Sequence, residues 1–249
     1  MERKAVVILA NSVKKQHRCI AGREIIQSGT SVKLGAWIRP VSPDGEASEG
    51  ELTPKHCLTQ GNVKIDVLGV FEIPLARHRS DPGQPENWDV VTNSPWKRLG
   101  SLERPSLRGL IENPPHLWDA SNAGDRRVHV DTPLEVRGNS SLALIRPSGF
   151  RAWTKREMHQ QRGYERTTIR GAFSYAGREY EFDITDDTFA PQFRAKATQK
   201  RSEYRPEFGD NCALCVSLGA PFNGYHYKLI AAVIPFAEQS KPLEEDIPF

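Results

Sequence analysis

The residues of this 249-residue chain best suited to chemistry are aromatic rings interleaved with cations. Phe150-Arg-Ala-Trp-Thr-Lys-Arg156 sets Phe150 and Trp153 among Arg151, Lys155 and Arg156. That mixture suits a single nucleic-acid strand: bases stack on rings at about 1–3 kcal/mol each, and cations meet phosphates. Lys14, Lys15, His17 and Arg18 form a second basic cluster, and Arg194, Lys196, Lys200, Arg201 and Arg205 a third. The plain alternative for each is a solvated basic surface. Arg39 and Arg146 each sit in an Ile-Arg-Pro tripeptide, and either a phosphate or a local acid such as Glu51 or Glu157 would satisfy them. Phosphate is the expectation. The nucleic-acid-binding set read from the sequence is therefore Lys14, Lys15, Arg18, Arg39, Arg146, Arg151, Trp153 and Lys155.

Catalytic signatures are weak. Ser12-Val-Lys-Lys15 has Ser-x-x-Lys spacing but no accompanying Ser-Asp-Asn or Lys-Thr-Gly element. Asp186-Asp187 would suit a divalent metal, yet no nearby Glu-x-Lys partner accompanies it, and a loop or capping role is expected. No phosphate-binding Gly-rich loop and no His-Glu-x-x-His helix occurs. Cys212-Ala-Leu-Cys215 has zinc-like spacing without a second ligand pair. It also sits in a strand-like run, where residues three apart face opposite sides of the sheet. Buried structural thiols are expected, and neither metal, cofactor nor enzymatic activity.

The last residues carry a different kind of chemistry. Four acids and one base follow Phe236, while residues 1–236 carry 33 bases and 27 acids, a mildly basic body with an acidic end. The tip Glu244-Glu-Asp-Ile-Pro-Phe249 resembles the acidic tip of bacterial single-stranded DNA-binding protein, which docks onto replication and repair enzymes. Phe249 would fill an apolar pocket, and Pro248 would lower the entropy lost on docking. The terminal carboxylate suits an arginine beside that pocket. Glu244, Glu245 and Asp246 would steer the tip toward a basic rim, with Ile247 as a further apolar contact.

The elements that must position these residues read mostly as strands. Runs at 4–10, 33–39, 62–73, 141–146, 166–175, 178–183, 212–218 and 226–234 mix β-branched, aromatic and alternating residues. Ala176-Gly177 reads as a hairpin turn. Phe173, Tyr175, Tyr180 and Phe182 belong in a core, because Glu179, Glu181 and Asp183 alternate with them and must face water. The best helix is 154–162, where Thr154 and Glu157 form a capping box. Residues 78–118 are broken by six prolines, yet Trp88, Trp96 and Trp118 imply packing, with Trp88 expected to plug a barrel end. Trp37-Ile-Arg-Pro40 and Leu144-Ile-Arg-Pro147 hint at a repeat of about a hundred residues, as do Ile73-Pro74 and Ile234-Pro235-Phe236.

Two halves of about a hundred residues with little helix fit small closed barrels. Ala10-Asn-Ser-Val-Lys-Lys-Gln-His-Arg-Cys-Ile-Ala-Gly22, Trp37-Ile-Arg-Pro40, and His78 followed by Pro85-Glu-Asn-Trp88 resemble the dual OB-containing domain family of bacterial proteins. The resemblance implies a mostly β chain of two tandem OB-like barrels that bind nucleic acid. The boundaries expected are a first barrel at 1–118, a loop-rich connector at 119–138, a second barrel at 139–236 and a disordered acidic tail at 237–249. No apolar run reaches membrane-spanning length and no signal peptide is evident, so a cytoplasmic location is expected. The implied role is non-catalytic binding of single-stranded DNA or RNA, with the tail recruiting a DNA-processing enzyme. That role would suit DNA maintenance or conflict with phage and plasmids. The alternatives are a protein or small-ligand adaptor and a metal-dependent nuclease.

Overall fold

The computed structural model describes residues 1–14, 17–29, 31–43, 50–79, 81, 83–118, 126–133, 139–158, 165–190, 203–204 and 206–237, the side chains of residues 14, 28, 31, 32, 155–158, 165, 166, 203 and 204 excepted. The first sheet contains β1 (Glu2–Lys14), β2 (His17–Ser28), β3 (Ser31–Val41), β4 (Gly69–His78), β5 (Asn87–Val90) and β6 (Lys97–Ser101). Its order is β1-β2-β3-β5-β4-β6, and β1 also pairs with β4. The long β1 closes the barrel by serving both neighbours: Glu2–Val7 pairs with β4, and Val6–Lys14 with β2. Only β3 and β5 run parallel. This is the five-stranded Greek-key closure of an OB-type barrel.

The second half repeats it. Here β7 (Arg127–His129), β8 (Leu142–Ile145), β9 (Ser148–Met158), β10 (Glu165–Tyr175), β11 (Arg178–Ile184), β12 (Glu203–Tyr204), β13 (Cys212–Leu218) and β14 (Tyr225–Pro235) form one sheet. The strands β8 and β9 together play the part of β1. Between them Arg146-Pro147 interrupts the ladder where proline has no N–H to give. Before the break β8 pairs with β13, and after it β9 pairs with β10. The parallel pair is β11 with β14.

Strand alternation explains why three cores form. In β1, Val6 and Ile8 point into the first barrel with Ile20, Ile38, Phe71, Ile73 and Trp96. The second barrel is filled by Phe150, Ile169, Phe173, Tyr180, Phe182, Leu214 and Ile230. The third core joins the barrels: Val7, Leu9, Ala21 and Trp37 from the first meet Leu142, Leu144, Ala213, Cys215, Ala232 and Ile234 from the second.

Several expectations hold. The core aromatics of β10 and β11 are buried, and Ala176 and Gly177 have φ of 49° and 73°, the type I′ hairpin. Cys212 and Cys215 lie on β13 and enter different cores, so they cannot share an ion. Trp96 and Trp118 are buried, and Trp88 packs on the first core beside His78.

Others are corrected. Residues 154–158 are strand, not helix: Thr154 pairs with Ile169 and Glu157 with Arg166 in the β9–β10 hairpin. The strand expected from 62 begins only at Gly69, after Leu68 turns with φ 73° and donates its N–H to Ile8 O. The tripeptide repeat is not structural. Trp37–Pro40 lies on the third strand of its barrel, whereas Leu144–Ile145 ends the first stage of the other. Residues before 118 already pack on the second half, where Leu117 and Trp118 enter its core. Within the expected connector, β7 pairs with β14.

Candidate nucleic-acid interface

OB-type barrels present oligonucleotides with the outer surface of their second and third strands. In the first barrel that surface is closed. Ala21 on β2 and Trp37 on β3 face outward into the shared core. Glu112 ties the edge: it accepts from Arg23 Nη1 at 2.7 Å, Trp37 Nε1 at 3.1 Å and the Leu144 N–H at 2.9 Å. Arg39 lies on the same strand and is only 8% exposed. Its Nη2 donates to Ser217 Oγ at 3.1 Å, and its Nη1 has no hydrogen-bond partner among the described residues. Burial pushes this guanidinium below its ordinary range, while Glu86 opposes the shift. Glu86 is held in turn by Ser140 Oγ and by the N–H and hydroxyl of Ser141, at 2.6–2.7 Å. Arg39 is thus a seam residue, out of reach of a strand in solvent.

Lys14, His17 and Arg18 lie at the end of the β1–β2 hairpin, which leans on the second barrel. Val13 N–H donates to Thr185 O at 3.4 Å, and Ser12 bridges Asp186. Arg18 on β2 pairs with Asp187 and lies 3.4 Å from Asn11 Oδ1. Asp186 is a capping residue, as expected: its carboxylate accepts from the N–H groups of Thr188, Phe189 and Val233. Burial raises its pKa against those three donors. Lys15 lies outside the described residues, as do Arg194, Lys196, Lys200, Arg201, Arg205 and the tail 238–249.

In the second barrel the described residues of the corresponding face are partly exposed, with Arg170 buried among them. On β9, Arg151 and Trp153 alternate with buried Phe150 and Ala152 and so face outward together. Trp153 lies opposite Arg170 of β10. Arg170 is already engaged: Nη1 donates to Glu181 at 2.8 Å, and Nε is 3.1 Å from Asp183. The surface is therefore basic and aromatic along β9 and acidic along β11. Arg146 is exposed but belongs elsewhere, 6.0 Å from the Phe236 ring and lining a cleft of about 600 Å³ with Asn113, Tyr175 and Asp210.

A second aromatic group escaped sequence reading. Phe222, Tyr225 and Tyr227 share one face at the start of β14 with Arg127 and His129 of β7. The available signal was Asn223-Gly224, a type I′ pair that fixes a hairpin tip at φ 50° and 79°. Among the described residues no cluster has the composition of a metal site, and no helix is long and apolar enough to cross a membrane.

Two closed barrels with the same strand order, one built onto the β2–β3 face of the other, define a tandem OB protein. The chain belongs to the Dual OB-containing domain family, whose model matches residues 4–233. No curated protein matches it.

Proposed function

We propose that this protein binds single-stranded DNA or RNA without catalysis and uses its tip, Glu244 to Phe249, to recruit a DNA-processing enzyme. Such a protein would serve DNA maintenance or conflict with phage and plasmids. The observation that carries the reading is the pair of OB-type barrels, of which the second keeps an outward surface bearing Arg151 and Trp153. The first barrel supplies scaffold, since its own surface is spent on the seam.

One observation favours a second reading. Glu179, Glu181 and Asp183 line β11, and a surface so acidic repels phosphate and suits a basic protein partner. Salt separates the two readings. Contacts to about three phosphates of a single strand would cost on the order of twentyfold in affinity between 50 and 200 mM salt. The test is fluorescence anisotropy of labelled DNA and RNA oligomers with the full chain and with a chain truncated after Lys241. Salt-sensitive binding that survives truncation is the expected result and assigns the tail to a partner. Absence of binding at low salt sinks the nucleic-acid reading.

A further inference from the structure

We propose that the hairpin tip Phe222–Tyr227, flanked by β7, is a stacking platform for unpaired bases; the proposal rests on the nucleic-acid reading above and gives it a site. Phe222 is 58% exposed, and a large ring left in water at a loop tip contributes little to folding. Register explains why the rings are together. Phe222 and Tyr225 close the turn with reciprocal backbone hydrogen bonds of 2.8 and 3.1 Å. Tyr227 follows two residues later on the same face. Opposite them, His129 pairs with Tyr225 and Arg127 with Tyr227, so five side chains share one surface. The other face is spent on packing, with Val128, His226 and Lys228 buried.

Within the strip the rings and the guanidinium are close neighbours, with ring planes inclined to one another. The Arg127 guanidinium lies 4.5 Å from the Tyr225 ring, and His129 meets the same ring edge-on at 5.2 Å. The Phe222 and Tyr227 rings are 6.4 Å apart. Arginine held over an aromatic plane can both stack and donate to phosphate. Rigidity is built in: Asn223 and Gly224 hold the turn, and the Val130 N–H donates to Gly224 O at 3.1 Å, which ties the tip to β7. A tip ordered in advance loses little entropy when a strand settles on it.

Charge decides the character of the site. Asp183 lies 3.8 Å from Arg126, the chain neighbour of Arg127, and Asp131 lies 3.4 Å from the His129 ring, so carboxylates stand close to the strip. Binding here draws on ring contact more than on counterion release. It is therefore tolerant of sequence and only weakly dependent on salt, unlike the phosphate contacts elsewhere on the barrel.

The test compares the full chain with F222A and R127A, using a labelled oligothymidine of about twelve nucleotides and an abasic oligomer of the same length. Loss of one stacked base weakens oligothymidine binding about five- to 150-fold in F222A, with the slope of log affinity against log salt unchanged. In R127A the slope becomes shallower by about 0.7, the loss of one phosphate contact. Abasic oligomer binds the wild type and F222A alike. Circular dichroism and the melting temperature stay at wild-type values in F222A, because that side chain is exposed. Wild-type binding that F222A leaves intact overturns the platform and spares the nucleic-acid reading. A wild type that binds neither oligomer overturns both.

Discussion

Arg39 and Glu86 are charges set into the seam between the barrels, and each is held by serines contributed from the second half. Removing one partner of a buried charged group leaves the other uncompensated, at about 3–5 kcal/mol. R39A is expected to lower the unfolding free energy in urea by that amount, with oligomer affinity of the folded fraction unchanged. A variant as stable as wild type would contradict the seam role. Arginine type and an adjacent proline made Arg39 a candidate in the sequence. What hid its true place is register: one position along β3, Ile38 enters the barrel while Trp37 and Arg39 face the neighbouring barrel. The cysteines give a second residue-scale prediction. Burial pushes the Cys57 and Cys212 thiols up to about 12, and Cys215 upward further. A group with a raised pKa stays protonated at pH 8, so the reactive thiolate is scarce. In the native protein Cys212 and Cys215 are expected to resist iodoacetamide at pH 8 and to react fully in guanidinium. Rapid native labelling of either, read by peptide mass, would show the strand to be open.

At the scale of the element, both barrels need a glycine in their second strand, but for different reasons. A Cβ on Gly22 would fall 2.0 Å from Val7 O, a backbone atom that cannot retreat without breaking the β1–β2 ladder. A Cβ on Gly171 would meet only side-chain ends, Ile230 Cδ1 at 2.7 Å and Phe150 Cε2 at 3.0 Å. Gly177 in the β10–β11 turn has open space around it and only its φ of 73° to satisfy. Alanine is therefore expected to unfold the protein at 22, to cost about 1–3 kcal/mol at 171, and about 1 kcal/mol at 177. Chemical denaturation of the three variants checks the ranking, and a stable G22A would refute the close approach. Strand identity was legible where alternation was clean, as in β11, and where a short apolar run was buried on both faces, as in β13. Strand β9 was misread because Thr154-Lys-Arg-Glu157 carries a local capping signal. Pairing with β10 outweighs it, since a capping box stabilises only ends and the hairpin satisfies the whole ladder. The stacking face of β14 stayed hidden for a related reason: Phe222, Tyr225 and Tyr227 stand in one short window, but Arg127 and His129 join them only through the pairing of β7 with β14, about a hundred residues away in the chain.

For the molecule as a whole, the third core decides how the barrels behave. Its members are as buried as those inside either barrel, with Leu9, Leu144, Ala213 and Cys215 all at 0% exposure. The chain crosses the seam more than once: Leu107 sits in the shared core, Glu112 bridges Arg23 and Leu144, and Leu117 enters the second barrel. Domains joined by a small polar contact unfold separately, whereas a large apolar contact couples them. A boundary at 118 read from the sequence misses this coupling, because the proline-rich stretch reads as the end of one unit and serves as a strap onto the next. The expected outcome is one cooperative urea transition, with circular dichroism and tryptophan fluorescence coincident. L144A, at the centre of the seam, is expected to lower that single midpoint by a loss of about 2–5 kcal/mol, not to split it. The same coupling makes the second barrel, residues 139–249 expressed alone, expose Leu142, Leu144 and Ile234 to water and fail to give a cooperative melt. Two resolved transitions in the full chain, or a second half that folds by itself, would mean that the seam is a docked contact. The β2–β3 face of the first barrel would then be open to solvent for part of the time, and Trp37 and Arg39 would return as candidates for binding a strand.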